Sequence, residues 1–368
     1  MCSDPRTIQK LTNFRREALP KMFSLGNDIG IDLGTATVLI YMKGKGIVLR
    51  EPSCVAVDQD TGRILAVGYE AKNMVGRTPG NVVSVRPLRD GVIADYSMTE
   101  AMMRYFMRKI NRGLHRYFRS RVMICVPSGA TDVERRAVLE AAVEVGARDA
   151  YLIEEPMAAA IGADLHVEES RGKMVVDIGG GTTDIAVISL GGCVISKSLR
   201  IGGDKLDECI MRYLRKQYNL AIGEQMAENL KIMIGSCLPD GEENNMTLKG
   251  RDLVQGLPRQ IEINSRSVCS AIIERIQAIV DGVKNVLEMT PPELSADIID
   301  QGIVLTGGGA LLRGLPELIG RSTGIKCVVA DRPAECVALG TGLALANIGK
   351  LSEKGQGSFL FSARRQRK

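Results

Sequence analysis

The sequence predicts an α/β fold of two related lobes with a cleft between them. Apolar strand-like runs alternate with helical stretches, which is the pattern of a sheet flanked by helices. A unit of apolar strand, aspartate, glycine-threonine turn and second apolar strand occurs twice, at Asp32 and at Asp177, about one domain length apart. The 368 residues suit about two domains or one bilobed body.

Taken in order, Ile29 to Tyr41 reads as two strands joined at Asp32-Leu33-Gly34-Thr35-Ala36-Thr37, and Lys43-Gly44-Lys45-Gly46 as a turn. Thr99 to Ile110 reads as a helix, Val122 to Val126 as a buried strand ended by Pro127-Ser128-Gly129, and Asp132 to Val145 as a helix with acids near its start. Glu154-Glu155-Pro156 opens an alanine-rich helix, where the paired acids serve either helix-start chemistry or catalysis. Met174 to Val187 repeats the first hairpin around Gly179-Gly180-Gly181-Thr182-Thr183. Glu224 to Ile234 reads only as an amphipathic helix. Ile303 to Thr306 is a strand running into a third turn, Gly307-Gly308-Gly309-Ala310, and an apolar helical stretch.

Composition narrows the function. Hydrophobic residues make up 45%, charged residues 25%, and mean hydropathy is +0.03, as in a globular protein. No apolar run is long enough for a membrane-spanning helix. Two histidines, His115 and His166, far apart in sequence, exclude HExxH and multi-histidine metal centres. Nine cysteines without a CxxC pair predict reduced, buried thiols in a cytosolic protein. The net charge of +5 is local: residues 1–21 carry five basic and two acidic side chains, residues 101–121 carry seven cations and no acid, and Ala363 to Lys368 carries four cations. What remains is acidic, which argues against a general nucleic-acid binder.

A turn rich in glycine and threonine leaves backbone N–H groups free to point at phosphate oxygens. Two such turns facing each other would grip a polyphosphate, and Asp32 and Asp177 would stand where carboxylates hold a hydrated Mg²⁺. The third turn lets backbone approach a flat ring or ribose. Singly, each turn is equally an ordinary tight hairpin. No Walker-type GxxxxGK[ST], no GxGxxG after a strand and no GxSxG occurs.

Longer motifs carry a resemblance. They are Ile31-Asp32-Leu33-Gly34-Thr35-Ala36, Arg86 to Tyr96, Cys125-Val126-Pro127-Ser128-Gly129-Ala130-Thr131, Glu154 to Ala160, the 177–183 turn, Thr290-Pro291-Pro292-Glu293-Leu294 and Leu305 to Gly314. From about Asn27 to Ile348 the chain resembles the MreB/Mbl family of bacterial rod shape-determining proteins. The resemblance implies an actin-like fold of the actin, Hsp70 and sugar-kinase superfamily, with each lobe built on a mixed sheet flanked by helices. ATP and Mg²⁺ then lie in the cleft, and slow hydrolysis to ADP and phosphate accompanies assembly into paired antiparallel filaments. Those filaments lie on the inner face of the cell membrane, organise wall synthesis and maintain rod shape. Implied partners are the chain itself, the membrane surface and wall-elongation membrane proteins of the MreC, MreD and RodZ type, with no nucleic acid.

Implied boundaries are an N-terminal extension over 1–26, lobe I over 27–167 and 338–350 with a small subdomain at about 56–88, lobe II over 168–337 with a small subdomain at about 205–268, and a basic tail over 351–368. Implied nucleotide contacts are Asp32, Gly34, Thr35, Ala36, Thr37, Asp177, Gly179, Gly180, Gly181, Thr182, Thr183, Ala227, Glu228, Asn229, Leu230, Gly307, Gly308, Gly309 and Ala310. Glu155 and Thr182 match the residues that orient the attacking water, and Asp32 and Asp177 hold Mg²⁺ mostly through water. Thr37 replaces the family's usual asparagine and Asp184 a common glutamate, which implies altered tuning rather than lost binding.

The 101–121 segment interleaves its cations with Tyr105, Phe106, Leu114, Tyr117 and Phe118, a pattern that suits nucleic acid, a bilayer surface or simply a helix with a core face. The resemblance implies membrane contact through Leu114, Tyr117 and Phe118. Ile8 to Leu19 forms a basic amphipathic stripe or a frayed end, and the basic tail reads as a disordered end rather than a lipid-binding one. A different class of function, phosphate transfer to a small acceptor as in sugar kinases, needs a base aspartate at an acceptor pocket and larger insertions. Neither is evident in the sequence, and a chaperone reading lacks its C-terminal substrate domain.

Overall fold

The first hairpin forms where the sequence places it: β1 (Asp28–Leu33) and β2 (Thr37–Met42) pair antiparallel, with Ile31 opposite Ile40 and Leu33 opposite Val38. This computed structural model describes residues 27–78, 80–110, 120–238, 243–348 and 361–364. β3 (Gly46–Pro52) completes a meander. β4 (Val55–Asp58), β5 (Ile64–Val67) and β6 (Val82–Val85) make a separate small sheet against α1 (Tyr69–Met74), and β7 (Leu88–Arg89) pairs with β8 (Val92–Ile93) around the turn at Asp90 and Gly91. Helix α2 (Tyr96–Ile110) begins earlier than the expected Thr99, because the Asp95 carboxylate accepts from the Met98 amide and supplies the start.

β9 (Arg121–Val126) and β10 (Asp149–Glu154) then lie parallel beside β1, so that Ile31, Ile124 and Leu152 form one row. Parallel neighbours need a crossover, and α3 (Asp132–Glu144) provides it. Its start is fixed by a capping box: the Thr131 hydroxyl accepts from the Glu134 amide, and the Glu134 carboxylate accepts from the Thr131 amide. Ile29, Ile31, Val122, Ile124 and Leu152 on one face and Met123, Cys125 and Ile153 on the other are all buried, as expected of strands covered on both faces.

After α4 (Glu155–Gly162) the plan repeats. β11 (Lys173–Ile178), β12 (Thr183–Ser189) and β13 (Gly192–Leu199) form a second meander. α5 (Gly203–Tyr218), β14 (Leu220–Ala221), α6 (Glu224–Ile234), β15 (Asn245–Asp252) and β16 (Pro258–Asn264) build a smaller unit on top. Then come α7 (Ser265–Met289), α8 (Pro292–Gln301), β17 (Ile303–Thr306), a 3₁₀ turn at Gly308–Leu311, α9 (Leu315–Thr323), β18 (Cys327–Val329) and α10 (Cys336–Ala346). Asn264 caps α7 through the Ser267 amide, and Val268, Ile272, Ile276, Ile279, Val283 and Val286 recur at helical spacing on its buried face. The sheet orders are β3-β2-β1-β9-β10 in the first lobe and β13-β12-β11-β17-β18 in the second. An antiparallel meander followed by two parallel strands thus occurs twice, which extends the duplicated hairpin to two whole sheets.

A layer of small side chains joins the lobes. Ala158, Ala159 and Ala160 of α4 and Val337, Ala344 and Leu345 of α10 share one apolar cluster with Met123 and Cys125 of the first sheet and Val175, Ala186 and Ile188 of the second. The two helices cross almost backbone to backbone: a Cβ on Gly340 would lie 1.8 Å from the Ala158 carbonyl oxygen.

The tail corrects an expectation. Phe361–Arg364 is not a disordered end but a strand, β19, paired antiparallel with β10 so that Asp149 stands opposite Arg364. Without it, β10 would be an open edge with unpaired backbone groups, and that need for partners is what a composition-based reading of the tail overlooks. No described helix is long and apolar enough to cross a membrane. The Ile8–Leu19 stripe lies outside the described residues.

Candidate functional site

The two duplicated turns meet. A Cβ on Gly180 would lie 2.5 Å from the Ala36 Cβ, and one on Gly181 2.6 Å from Thr35 Oγ1, so these glycines are required by the close approach of the turns. The Gly179 amide closes the second turn onto the Thr182 carbonyl at 2.9 Å. The amides of Thr35, Ala36, Gly180 and Gly181 bond to nothing among the described residues. Four backbone donors are therefore left for an anion.

Beside the turns lies a cavity of about 460 Å³, within the usual range for small-molecule sites. Asp32, Glu155 and Asp177 line it, with Gly34 to Thr37, Gly179 to Thr182 and Gly307 to Gly309. Asp32 and Asp177 hold equivalent places near the ends of β1 and β11. Burial pushes Asp32 up to about 7, against a partial offset from the Cys125 thiol, 3.5 Å from Oδ1. Burial likewise pushes Asp177 up to about 7; the Thr306 hydroxyl, donating to Oδ1 at 2.7 Å, opposes this, and the charges of Asp32 and Asp184 add to it. Glu155, at the start of α4, is raised well above the ordinary carboxyl range by burial and then by Asp184, Asp177 and Asp32. Asp184 lies opposite Asp177 in the strand register and accepts from the Ser128 amide of the first lobe at 3.0 Å. Four converging acids with little countercharge are electrostatically suited to a cation.

This has a measurable consequence. A carboxyl with a raised folded-state pKa binds protons more tightly folded than unfolded, so its contribution is complete below the ordinary value of 3.8 and is lost as pH rises through about 7. Ligand-free protein should therefore gain about 1–2 kcal/mol when pH falls from 7 towards 5, after discounting for water in the cavity. Urea unfolding across that range checks it; an Asp32→Asn/Asp177→Asn variant with the same slope would show that these groups are not the source.

Some expected contacts do not reach the cavity. Of residues 227–230 only Glu228 lines it: Ala227 and Leu230 are buried in the lobe core and Asn229 faces outward. The helical period explains this placement, because the cavity face of α6 runs through Glu228, Lys231 and Ile232 while Ala227, Leu230 and Ile234 form the core face. Thr183 is fully buried, with its hydroxyl donating to the Ile201 carbonyl, and Ala310 is buried beneath the third turn. Glu154 stands at the N-cap position, but its side chain makes no capping bond and pairs instead with Arg135 at 3.1 Å, so that of the two acids Glu155 faces the cavity.

Sequence reading missed Lys231, whose ammonium bonds the Asp207 carboxylate and the Gly203 carbonyl, each at 2.9 Å. Burial pushes Asp207 up to about 6 while Lys231 pulls it back. The one available signal was the spacing from Glu228 to Lys231. Phe106 belongs to the core, and Tyr105 packs edge-on against it with ring centroids 5.7 Å apart. Leu114, Tyr117 and Phe118 lie outside the described residues.

Comparison with known proteins follows this geometry. A family model described as MreB/Mbl protein matches residues 26–353. The cell shape-determining protein Mbl of Bacillus subtilis is 53% identical over 328 residues, covering 89% of this chain and 98% of its own. The cell shape-determining protein MreB of Escherichia coli K12 is 53% identical over 331 residues, covering 89% and 95%. Among solved structures, MreB 5 of Spiroplasma citri bound to AMPPNP superposes with a TM-score of 0.85 at 38% identity, covering 90% of this chain and 99% of that one.

Proposed function

Because the chain belongs to the MreB/Mbl family of actin-like, cell shape-determining proteins, we propose that it is an ATPase that polymerises with ATP and Mg²⁺ on the inner face of the cell membrane and there organises wall synthesis. The observation that carries this reading is the pair of glycine turns in contact across the lobes, with unbonded amides above a cavity walled by acids. A related chain has been crystallised with AMPPNP and with ADP, which supports a nucleoside triphosphate as the ligand. The full-length match to cell shape-determining proteins favours this reading over phosphate transfer to a small acceptor.

Mg²⁺ fits the donor set. Asp32 and Asp177 offer hard carboxylate oxygens, yet no group of three or more His, Cys, Asp or Glu side chains among the described residues is arranged as a direct metal cage. The two aspartates would therefore hold the ion through water. Once bound, it supplies neutralisation of phosphate charge and draws the raised carboxyls back towards their ionised forms.

The protein's own groups then divide the work. Amides of Thr35, Ala36, Gly180 and Gly181 hold the phosphates, and Glu228 and Lys231 serve the ribose end of the cavity. Glu155 orients a water for in-line attack on the terminal phosphorus, with Thr182 beside it. A bond from the water oxygen to phosphorus forms, the bond to the bridging oxygen breaks, ADP leaves with that electron pair, and Glu155 receives the proton. Burial strengthens Glu155 as a base when it is ionised. Membrane contact is assigned to Leu114, Tyr117 and Phe118, and the partners to further copies in paired antiparallel filaments and to wall-elongation proteins of the MreC, MreD and RodZ type.

Sedimentation with anionic liposomes tests the reading. Wild-type protein should pellet with lipid and ATP-Mg²⁺ as filaments, and a Leu114→Ser/Phe118→Ser variant should polymerise while losing most of its lipid binding. Absence of polymer at every salt and lipid condition would sink the filament reading.

A further inference from the structure

We propose that a strap of ion pairs across the mouth of the cleft sets how long a nucleotide stays bound. Its donors come mainly from the small unit of the first lobe and its acceptors from the second. Lys72 of α1 holds Glu228 of α6 at 2.7 Å, and the Gln225 side-chain amide donates to the Lys72 carbonyl at 2.6 Å. A second strand of the strap is Arg86, just beyond β6, which grips Asp204 at the start of α5 at 2.7 Å and reaches Glu224 at 3.5 Å. Lys72, Arg86 and Glu228 are each about one-third exposed, so the pairs are shielded enough to count and wet enough to break.

The strap is tied to the site. Glu228 and Asp204 line the cavity, whereas Lys72 and Arg86 do not. Each pair thus rests on an acid that faces the bound molecule, so both close over it. Release requires both to part, because the two small units must separate to open the mouth. This inference rests on the nucleotide reading above, although the strap itself exists in the protein without any ligand.

The test uses full-length protein, a fluorescent ATP analogue and Mg²⁺. Stopped-flow dissociation should be about threefold faster in Lys72→Met or Arg86→Met and about tenfold faster in the double variant. Added salt should accelerate release from the wild type and have little effect on the double variant. In nucleotide-free protein, exchange of the Ser128 amide, whose bond to the Asp184 carboxylate crosses the lobes, should quicken in the double variant while exchange in α7 stays unchanged, which separates opening from unfolding. Wild-type rates in both the dissociation and exchange arms would overturn the strap. If the wild type bound no analogue at all, the nucleotide reading would fall, and the exchange arm would still decide the strap.

Discussion

A Glu155→Ala protein is expected to bind ATP within about threefold of wild type and to release phosphate at least about 100-fold more slowly. The division follows from position. In the proposed function phosphate binding rests on backbone amides of turns that Glu155 does not build, whereas Glu155 is the acid at the head of α4 that faces the cavity. Removing it also removes like charge beside Asp184, Asp177 and Asp32, so ATP affinity should hold or improve slightly. A Glu155→Gln variant keeps size and hydrogen bonding but cannot take a proton. It should be almost as slow, and its residual rate should lose the pH dependence of the wild type. Phosphate release measured under single-turnover conditions decides it: unchanged release in both variants would remove Glu155 from the chemistry.

The largest effect on stability is expected at the crossing of α4 and α10. An added methyl at Gly340 would sit 1.8 Å from the Ala158 carbonyl oxygen and 2.8 Å from the Gly162 amide, both of them backbone atoms. A flexible side chain could swing aside, but here a whole helix must move. Helix α4 cannot move alone, because its alanines are packed against both sheets. Gly340→Ala should therefore cost more than about 3 kcal/mol, at or beyond the upper end for overpacked cores. Urea unfolding of that variant beside Leu343→Ala, on an exposed position of the same helix, checks it; the control should shift by less than about 0.5 kcal/mol. Equal small shifts in both would show that the crossing yields.

The two hairpins and their aspartates were legible because their signals are local: an apolar strand, an acid and a glycine turn are contiguous in sequence. The start of α3 was legible for the same reason, through Thr131 and Glu134. The contact between the turns was expected from their duplication, but its closeness depends on where two sheets come to rest and has no local signature. On α6 the family resemblance pointed to four consecutive residues, while a helix can present only one face, so Glu228 reaches the cavity and Ala227 and Leu230 do not. Lys231 was obscured because a lysine near a helix end is ordinarily a solvated charge. The roles of Glu154 and Glu155 could not be separated until Arg135, on another helix, was seen to hold the first. Strand β19 was illegible because the four residues Phe361-Ser362-Ala363-Arg364 have no pattern of their own, and they pair with the edge that β10 presents.

That strand and α10 also bear on how the molecule is made. The buried core of the second lobe is drawn from a continuous stretch, Met174 to Ile319, all of it synthesised before Cys336–Ala346 and Phe361–Arg364. The first lobe is different: its sheet opens with Asp28 but receives its last strand at Phe361–Arg364, and its joining layer waits for Cys336–Ala346. Its earliest residues thus leave the ribosome with an edge and a face uncovered, and they stay so until Cys336–Ala346 and Phe361–Arg364 have followed. The lobe begun first is finished last, so full closure of the cleft waits for α10 and β19.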